Sequence, residues 1–148
     1  MDRKAKIFII HGHDTKLKQE VQLLLSRVGL EGVVLHEQPD KGRNVIDKLI
    51  EESAGIEYAI AIMTPDDVME GGIVRSRQNV ILEVGYFMGK YGKNRLRLLR
   101  AGDVEIPSDL HGVLYQDVDE SGAWKVKLLK EIKEVGLYID LDEVLSKI

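Results

Sequence analysis

Cysteine is absent from the 148 residues, which excludes disulfides and cysteine-based zinc sites and fits a reducing, cytoplasmic setting. No run of roughly eighteen apolar residues occurs, so no membrane-spanning helix is expected. The charged start Met1-Asp2-Arg3-Lys4 leads straight into a short strand, unlike a secretory leader. Basic charge is in deficit: 21 Lys and Arg against 25 Asp and Glu leave a net charge of -4, which argues against nucleic acid as a partner. No Gly-x-Gly-x-x-Gly follows the first strand and no Walker sequence appears. The usual dinucleotide clamp is therefore missing, and hydride transfer with a retained cofactor is not expected. What remains is the composition of a globular protein, 44% hydrophobic and 31% charged, with length for one domain, 1–148, and a core able to fold alone.

Two periodicities alternate along the chain. Lys6 to His11 is a continuous apolar run of the kind a parallel strand buried on both faces requires. Gly12-His13-Asp14 turns the chain, and Asp14 or Thr15 can cap a helix carrying Leu17, Val21, Leu24, Leu25 and Val28, ended by Gly29. Gly32 to His36 reads as a second strand. A polar loop, Glu37 to Arg43, then leads to a helix bearing Val45, Ile46, Leu49 and Ile50. Tyr58 to Met63 is a third buried strand, closed by Thr64-Pro65-Asp66-Asp67, with a glycine-containing loop, Val68 to Val74, beyond it. Arg95 to Leu99 and Gly112 to Tyr115 read as strands four and five. A helix from about Ala123 to Val135 turns Trp124, Leu128, Leu129 and Ile132 inward, and Ile139 to Ile148 is expected to add a short helix. Strand and helix in alternation with short links give an α/β fold: a doubly wound parallel sheet of five strands, order 2-1-3-4-5, with helices on both faces.

The stretch that organises the rest is Ser76 to Lys90. With a 3.6-residue period, Val80, Ile81, Val84, Phe87, Met88 and Tyr91 share one arc of an amphipathic helix, and Glu83 lies beside that arc rather than opposite it. A carboxylate at the edge of a buried stripe is partly desolvated, where a working acid, base or charge stabiliser is placed. In doubly wound sheets ligands bind beyond the carboxyl ends of the strands at the switch point. That rule brings His11, Gly12, His13 and Asp14 after strand 1, Thr64, Asp66 and Asp67 after strand 3, and the start of the Glu83 helix to one rim. Backbone N–H groups at Gly12 and His13 can hold a phosphate or ribose, Asp66 and Asp67 can contact ribose or cap the next segment, and Asn79 is one turn from Glu83. Arg43, Arg75 and Arg77 are candidates for pairing with a pyrophosphate. His11 and His13 have no third ligand at suggestive spacing, so no metal centre is expected.

Several stretches are together specific. Phe8 to Asp14, His36-Glu37-Gln38-Pro39, Met63 to Asp67, Arg77 to Phe87 and Gly102 to Ser108 resemble, in order and over nearly the whole chain, the TIR-like domain of prokaryotic antiphage effectors triggered by cyclic nucleotides (the CBASS and Pycsar type). The resemblance implies the flavodoxin-like TIR fold. It also implies cleavage of NAD to nicotinamide and ADP-ribose, or a cyclic form of it, when domains self-associate. NAD is then substrate rather than cofactor, and Glu83 matches the family's catalytic carboxylate. Ile81-Leu82 stand where plant and animal TIR enzymes commonly carry Trp or Cys, which places the chain in the prokaryotic branch. In the family a cyclic-nucleotide sensor domain drives assembly, and this chain has no length for one.

The chemistry suits these residues. Breaking the ribose–nicotinamide bond generates an oxocarbenium-like cation and releases a leaving group that already carries positive charge, so one carboxylate near the ribose suffices and no leaving-group acid is required. Two other classes share the pattern: a nucleoside deoxyribosyltransferase-like N-glycosidase, and a non-catalytic TIR interaction module that signals by assembly. The loop Glu37 to Arg43 is expected to be flexible, to misplace the site in the monomer and to be reset by a neighbouring copy.

Overall fold

The structure is a computed structural model, and it describes residues 5–12, 15–76, 78–107, 110, 115–137 and 139. Five strands form one parallel sheet: β1 (Lys6–His11), β2 (Glu31–Val34), β3 (Ala59–Met63), β6 (Leu96–Arg100) and β7 (Tyr115–Asp117), in the order β2-β1-β3-β6-β7. Between them run the helices α1 (Lys16–Arg27), α2 (Val45–Glu52), α3 (Gln78–Tyr91) and α4 (Ala123–Glu134). The doubly wound order expected from the alternation of strands and helices is the one observed.

Side-chain alternation along each strand divides the core into two layers. Ile7, Ile9, Ile60 and Ile62 face α1 and α4 and pack on Val21, Leu25, Trp124 and Leu128. Phe8, Ile10, Ala59, Ala61 and Met63 face the other way, onto Leu49 of α2 and Val80, Val84 and Phe87 of α3. Large branched residues fill one face, whereas small alanines on the other let α3 lie close against the sheet. The Phe8 and Phe87 rings stack with centroids 5.1 Å apart. That contact fixes the rotation of α3 and so the direction in which Glu83, one turn earlier, points.

Boundaries moved where pairing runs out. Strand 2, expected over Gly32 to His36, occupies Glu31–Val34. As an edge strand it pairs only with β1, the register ends at Ile9 opposite Val34, and Leu35–Glu37 closes into a 3-10 turn with Gln38 N–H donating to the Leu35 carbonyl. Strand 5, expected over Gly112 to Tyr115, is found at Tyr115–Asp117, because its partners in β6 are Leu98 to Arg100; residues 111–114 lie outside the described residues. So does the expected terminal helix, apart from Ile139, which is buried in the α1–α4 layer. The loop Val68 to Val74 is instead a small antiparallel hairpin, β4 (Asp67–Val68) with β5 (Val74–Arg75). Of the apolar residues on α2 only Leu49 is buried, while Val45, Ile46 and Ile50 are exposed.

The loop after β2 is braced rather than loose. Lys18 Nζ donates to Glu37 Oε2 at 2.5 Å, and Gln22 adds a bond to the same carboxylate. Asp40 to Arg43 closes a turn in which Lys41 and Gly42 both have positive φ, 54° and 73°. The Arg43 guanidinium bonds the Pro39 and Asp40 carbonyls and the carboxylates of Glu51 and Glu52.

If α3 is seated by the Phe8–Phe87 stack, Phe87→Ala should cost about 3–5 kcal/mol of stability. Leu82→Ala, on the exposed side of the same helix, should stay within about 0.5 kcal/mol. Urea unfolding of both variants checks this, and equal costs would place the anchor elsewhere.

Candidate functional site

Register sets the rim. His11, last in β1, pairs with Ile62 of β3, so the segments that follow them emerge side by side at the carboxyl edge of the sheet. They meet at Gly12, where an added Cβ would lie 2.0 Å from Asp66 Oδ2. Only a residue without a side chain admits that carboxylate, which is further held by the Thr64 hydroxyl donating to Asp66 Oδ1 at 2.6 Å. Thr64 itself is buried, and its carbonyl accepts from the Ser76 hydroxyl at 3.4 Å just before α3 begins. The strand 1 turn, the strand 3 turn and the entry to α3 are thereby tied into one unit.

Beside this unit opens a cleft of about 590 Å³, within the range of small-molecule sites. Its walls come from His11 and Gly12, from His36 and Asp40 after β2, from the first turns of α2, and from Asn79 and Glu83 of α3. Glu83 has no hydrogen-bond partner among the described residues, and burial alone pushes its carboxyl up to about 7. His11 is the second unusual group. Both ring nitrogens are buried without a hydrogen-bond partner among the described residues, and its ring lies 4.6 Å from that of His36. Burial first, then the neighbouring His36 and Lys18 charges, lower its pKa and keep it neutral. His11 and Glu83 line the same cleft, and neither brings a fixed positive charge to it, so a cation arriving with a ligand would favour the ionised form of Glu83.

The expected site residues divide into groups. His11, Gly12, Arg43, Asn79 and Glu83 line this cleft. Asn79 does not hydrogen-bond Glu83, and Arg43 reaches the cleft wall with its guanidinium already engaged by two carboxylates. Thr64 and Asp66 build the rim from behind. Asp67 and Arg75 border a second cleft of about 720 Å³ across the start of α3, to which Asn79 also contributes, and Arg75 Nε pairs with Glu105 Oε1 there at 3.1 Å. His13, Asp14 and Arg77 lie outside the described residues. Among the described residues no group of three or more His, Asp or Glu could hold a metal ion, and no helix is long and apolar enough to cross a membrane.

The loop Glu37 to Arg43 borders the rim as expected, though Asp40 within it was not singled out; His36, Asn44 and Lys48 were passed over, and all four line the cleft. The signal was present. The loop after strand 2 borders the switch point, and Asn44 caps α2 by accepting from Asp47 N–H at 2.8 Å, which aims the first turn of that helix and Lys48, four residues on, at the same rim.

Comparison with known proteins agrees with the fold. A family model described as the CAP12/Pycsar effector protein, TIR domain, matches residues 6–120. The uncharacterized protein YuaY of Escherichia coli (strain K12) is 49% identical over 146 residues, covering 95% of this chain and 49% of that protein. Protein tirC of Dictyostelium discoideum is 31% identical over 136 residues, 80% of this chain and 67% of its own length. Pycsar effector protein PaPycTIR of Pseudomonas aeruginosa is 40% identical over 73 residues, 46% of this chain and 24% of the effector. The chain thus spans about half the length of YuaY and a smaller share of the effector.

A raised carboxyl pKa means the folded state binds a proton that the unfolded state has released. Stability therefore falls as pH rises from about 4.5 through 7. Glu83→Gln removes that loss. The variant should match the wild type at pH 4 and exceed it by on the order of 2–3 kcal/mol at pH 8, measured by urea unfolding at both values; a difference independent of pH would mean that Glu83 is hydrated.

Proposed function

The chain belongs to the CAP12/Pycsar effector TIR-domain family, and from that premise we propose that it is an NAD glycohydrolase domain, activated by self-association, in antiphage defence. The observation that carries the reading is Glu83: a half-buried carboxylate with no competing partner among the described residues, in a cleft at the sheet's switch point.

In this reaction the C1′–N bond of the nicotinamide riboside breaks and its electron pair leaves with the pyridine nitrogen. C1′ becomes cationic, water adds there, and the water proton passes to solvent. Glu83 faces the ribose and stabilises the developing cation, a contribution enlarged by the low local dielectric. The substrate's pyridinium also lowers the carboxyl pKa as it arrives, so the catalytic anion forms when substrate is in place. Neutral His11 offers a donor or acceptor nitrogen inside the cleft without adding a repelling charge.

Self-association is supported by apolar residues at the surface: Val45, Ile46 and Ile50 on α2, and Val68, Met69 and Ile73 on the hairpin. In the whole protein a cyclic-nucleotide sensor, elsewhere in a longer chain or on a separate one, would concentrate the domains.

The test is incubation with NAD and, separately, with deoxynucleosides, the products resolved by chromatography. Nicotinamide release from NAD should have a specific activity that climbs with protein concentration, and Glu83→Gln should lower it by about a hundredfold or more with self-association unchanged. Cleavage of deoxynucleosides alone would favour the transferase-like N-glycosidase, and signalling that survives Glu83→Gln would favour the non-catalytic module. The wild-type kcat/KM should rise with pH through an inflection near 7 set by free Glu83, whereas kcat should inflect at lower pH; coincident inflections would contradict the role of the pyridinium.

A further inference from the structure

Among the described residues two cationic side chains, Arg43 and Lys48, line the cleft, and they are not equivalent. Arg43 is spoken for: Nη1 donates to Glu51 at 2.8 Å, Nη2 to Glu52 at 2.8 Å and to the Pro39 carbonyl at 2.6 Å, and Nε to the Asp40 carbonyl at 2.9 Å. Two carboxylates more than neutralise it, and moving it would undo the loop. Lys48 differs. Its side chain is 8% exposed, and its ammonium holds one carboxylate, Asp40 Oδ1 at 2.8 Å, whose own side chain is 81% exposed.

That asymmetry matters physically. A buried ammonium must have an anion beside it, because leaving it alone keeps the full desolvation penalty of a charge with no partner. An exposed carboxylate released into water loses little, since water solvates it again. The Lys48 position therefore demands an anion but is indifferent to which one. Asp40 reaches it from the turn whose two positive-φ residues follow immediately, and Asn44 and Val45, at the positive end of α2, line the same cleft.

We propose that Lys48 is the phosphate-binding residue of the cleft and that Asp40 is a resident stand-in anion which a phosphate group of the substrate displaces. The assignment rests on the NAD reading for the identity of the substrate, though not for the anion chemistry. Displacement releases the Asp40 side chain alone, because Arg43 still holds the Pro39 and Asp40 carbonyls of the turn. In the empty protein Lys48 holds Asp40's carboxyl below its usual range, as the pairing requires.

The test is calorimetric titration of the wild type, Asp40→Asn, Lys48→Met and the double variant with inorganic pyrophosphate, ADP-ribose and adenosine. Asp40 is exposed and Lys48→Met retains an apolar stem, and thermal unfolding verifies that each variant is folded. Asp40→Asn should tighten both anions by about fivefold and Lys48→Met should weaken them by about tenfold or more. The gain from Asp40→Asn should vanish in the Lys48→Met background, and adenosine should be indifferent throughout. An Asp40→Asn gain that persists without Lys48, an equal loss for adenosine, or failure of both anions to bind Asp40→Asn overturns the proposal. If the anions follow the expected pattern while no nicotinamide is released from NAD, the hydrolase reading alone falls. If Glu83-dependent release is unaffected by either substitution, the phosphate site alone falls.

Discussion

The desolvation of one carboxyl group organises the account. Glu83 sits on a helix pressed against the alanine-lined face of the sheet, with Phe87 stacked on Phe8 one turn later. Nothing among the described residues compensates its charge, and burial alone raises its pKa to about 7. Such a group costs stability whenever it is ionised. A fold that retains it keeps a place where a cation arriving with the ligand is worth more than it would be in water.

The rim around Glu83 is assembled by contacts that are individually modest and mutually dependent. Gly12 admits the Asp66 carboxylate, Thr64 holds that carboxylate, and the Thr64 carbonyl receives Ser76 at the start of α3. Opposite, the segment after β2 is fastened at three points: Lys18 on Glu37, Lys48 on Asp40, and Arg43 on Glu51 and Glu52. The two sides differ in kind. The Gly12–Asp66 side is close-packed, whereas the β2–α2 side is held by charges, one of which, Asp40, stands mostly in water. Any adjustment of the cleft to a ligand or to a neighbouring copy therefore falls on the charged side first.

The alternation of buried strands with amphipathic helices made the sheet order legible, because parallel strands and right-handed crossovers leave few arrangements open. The flank position of Glu83 followed from the helical period alone. Edges were harder. Where β2 stops depends on how far β1 can pair with it, and the end strand is positioned by Arg100 meeting Asp117, neither of which is a local property. The helix after the loop looked like a core helix by its pattern of Val45, Ile46, Leu49 and Ile50, yet it buries only Leu49 among them, because periodicity reports an apolar face and not what covers it. Of the arginines considered for a phosphate, Arg43 turned out to be held by acids from its own neighbourhood, while Lys48 was overlooked because a lysine on a short helix carries no pattern.

Direct titration of the Glu83 side-chain carboxyl by carbon-detected NMR tests the central claim. In the free protein its midpoint should fall near 7, and a non-cleavable NAD analogue carrying the pyridinium charge should move it downward. A midpoint in the ordinary glutamate range near 4.5, unchanged by the analogue, would show a hydrated side chain and contradict the account.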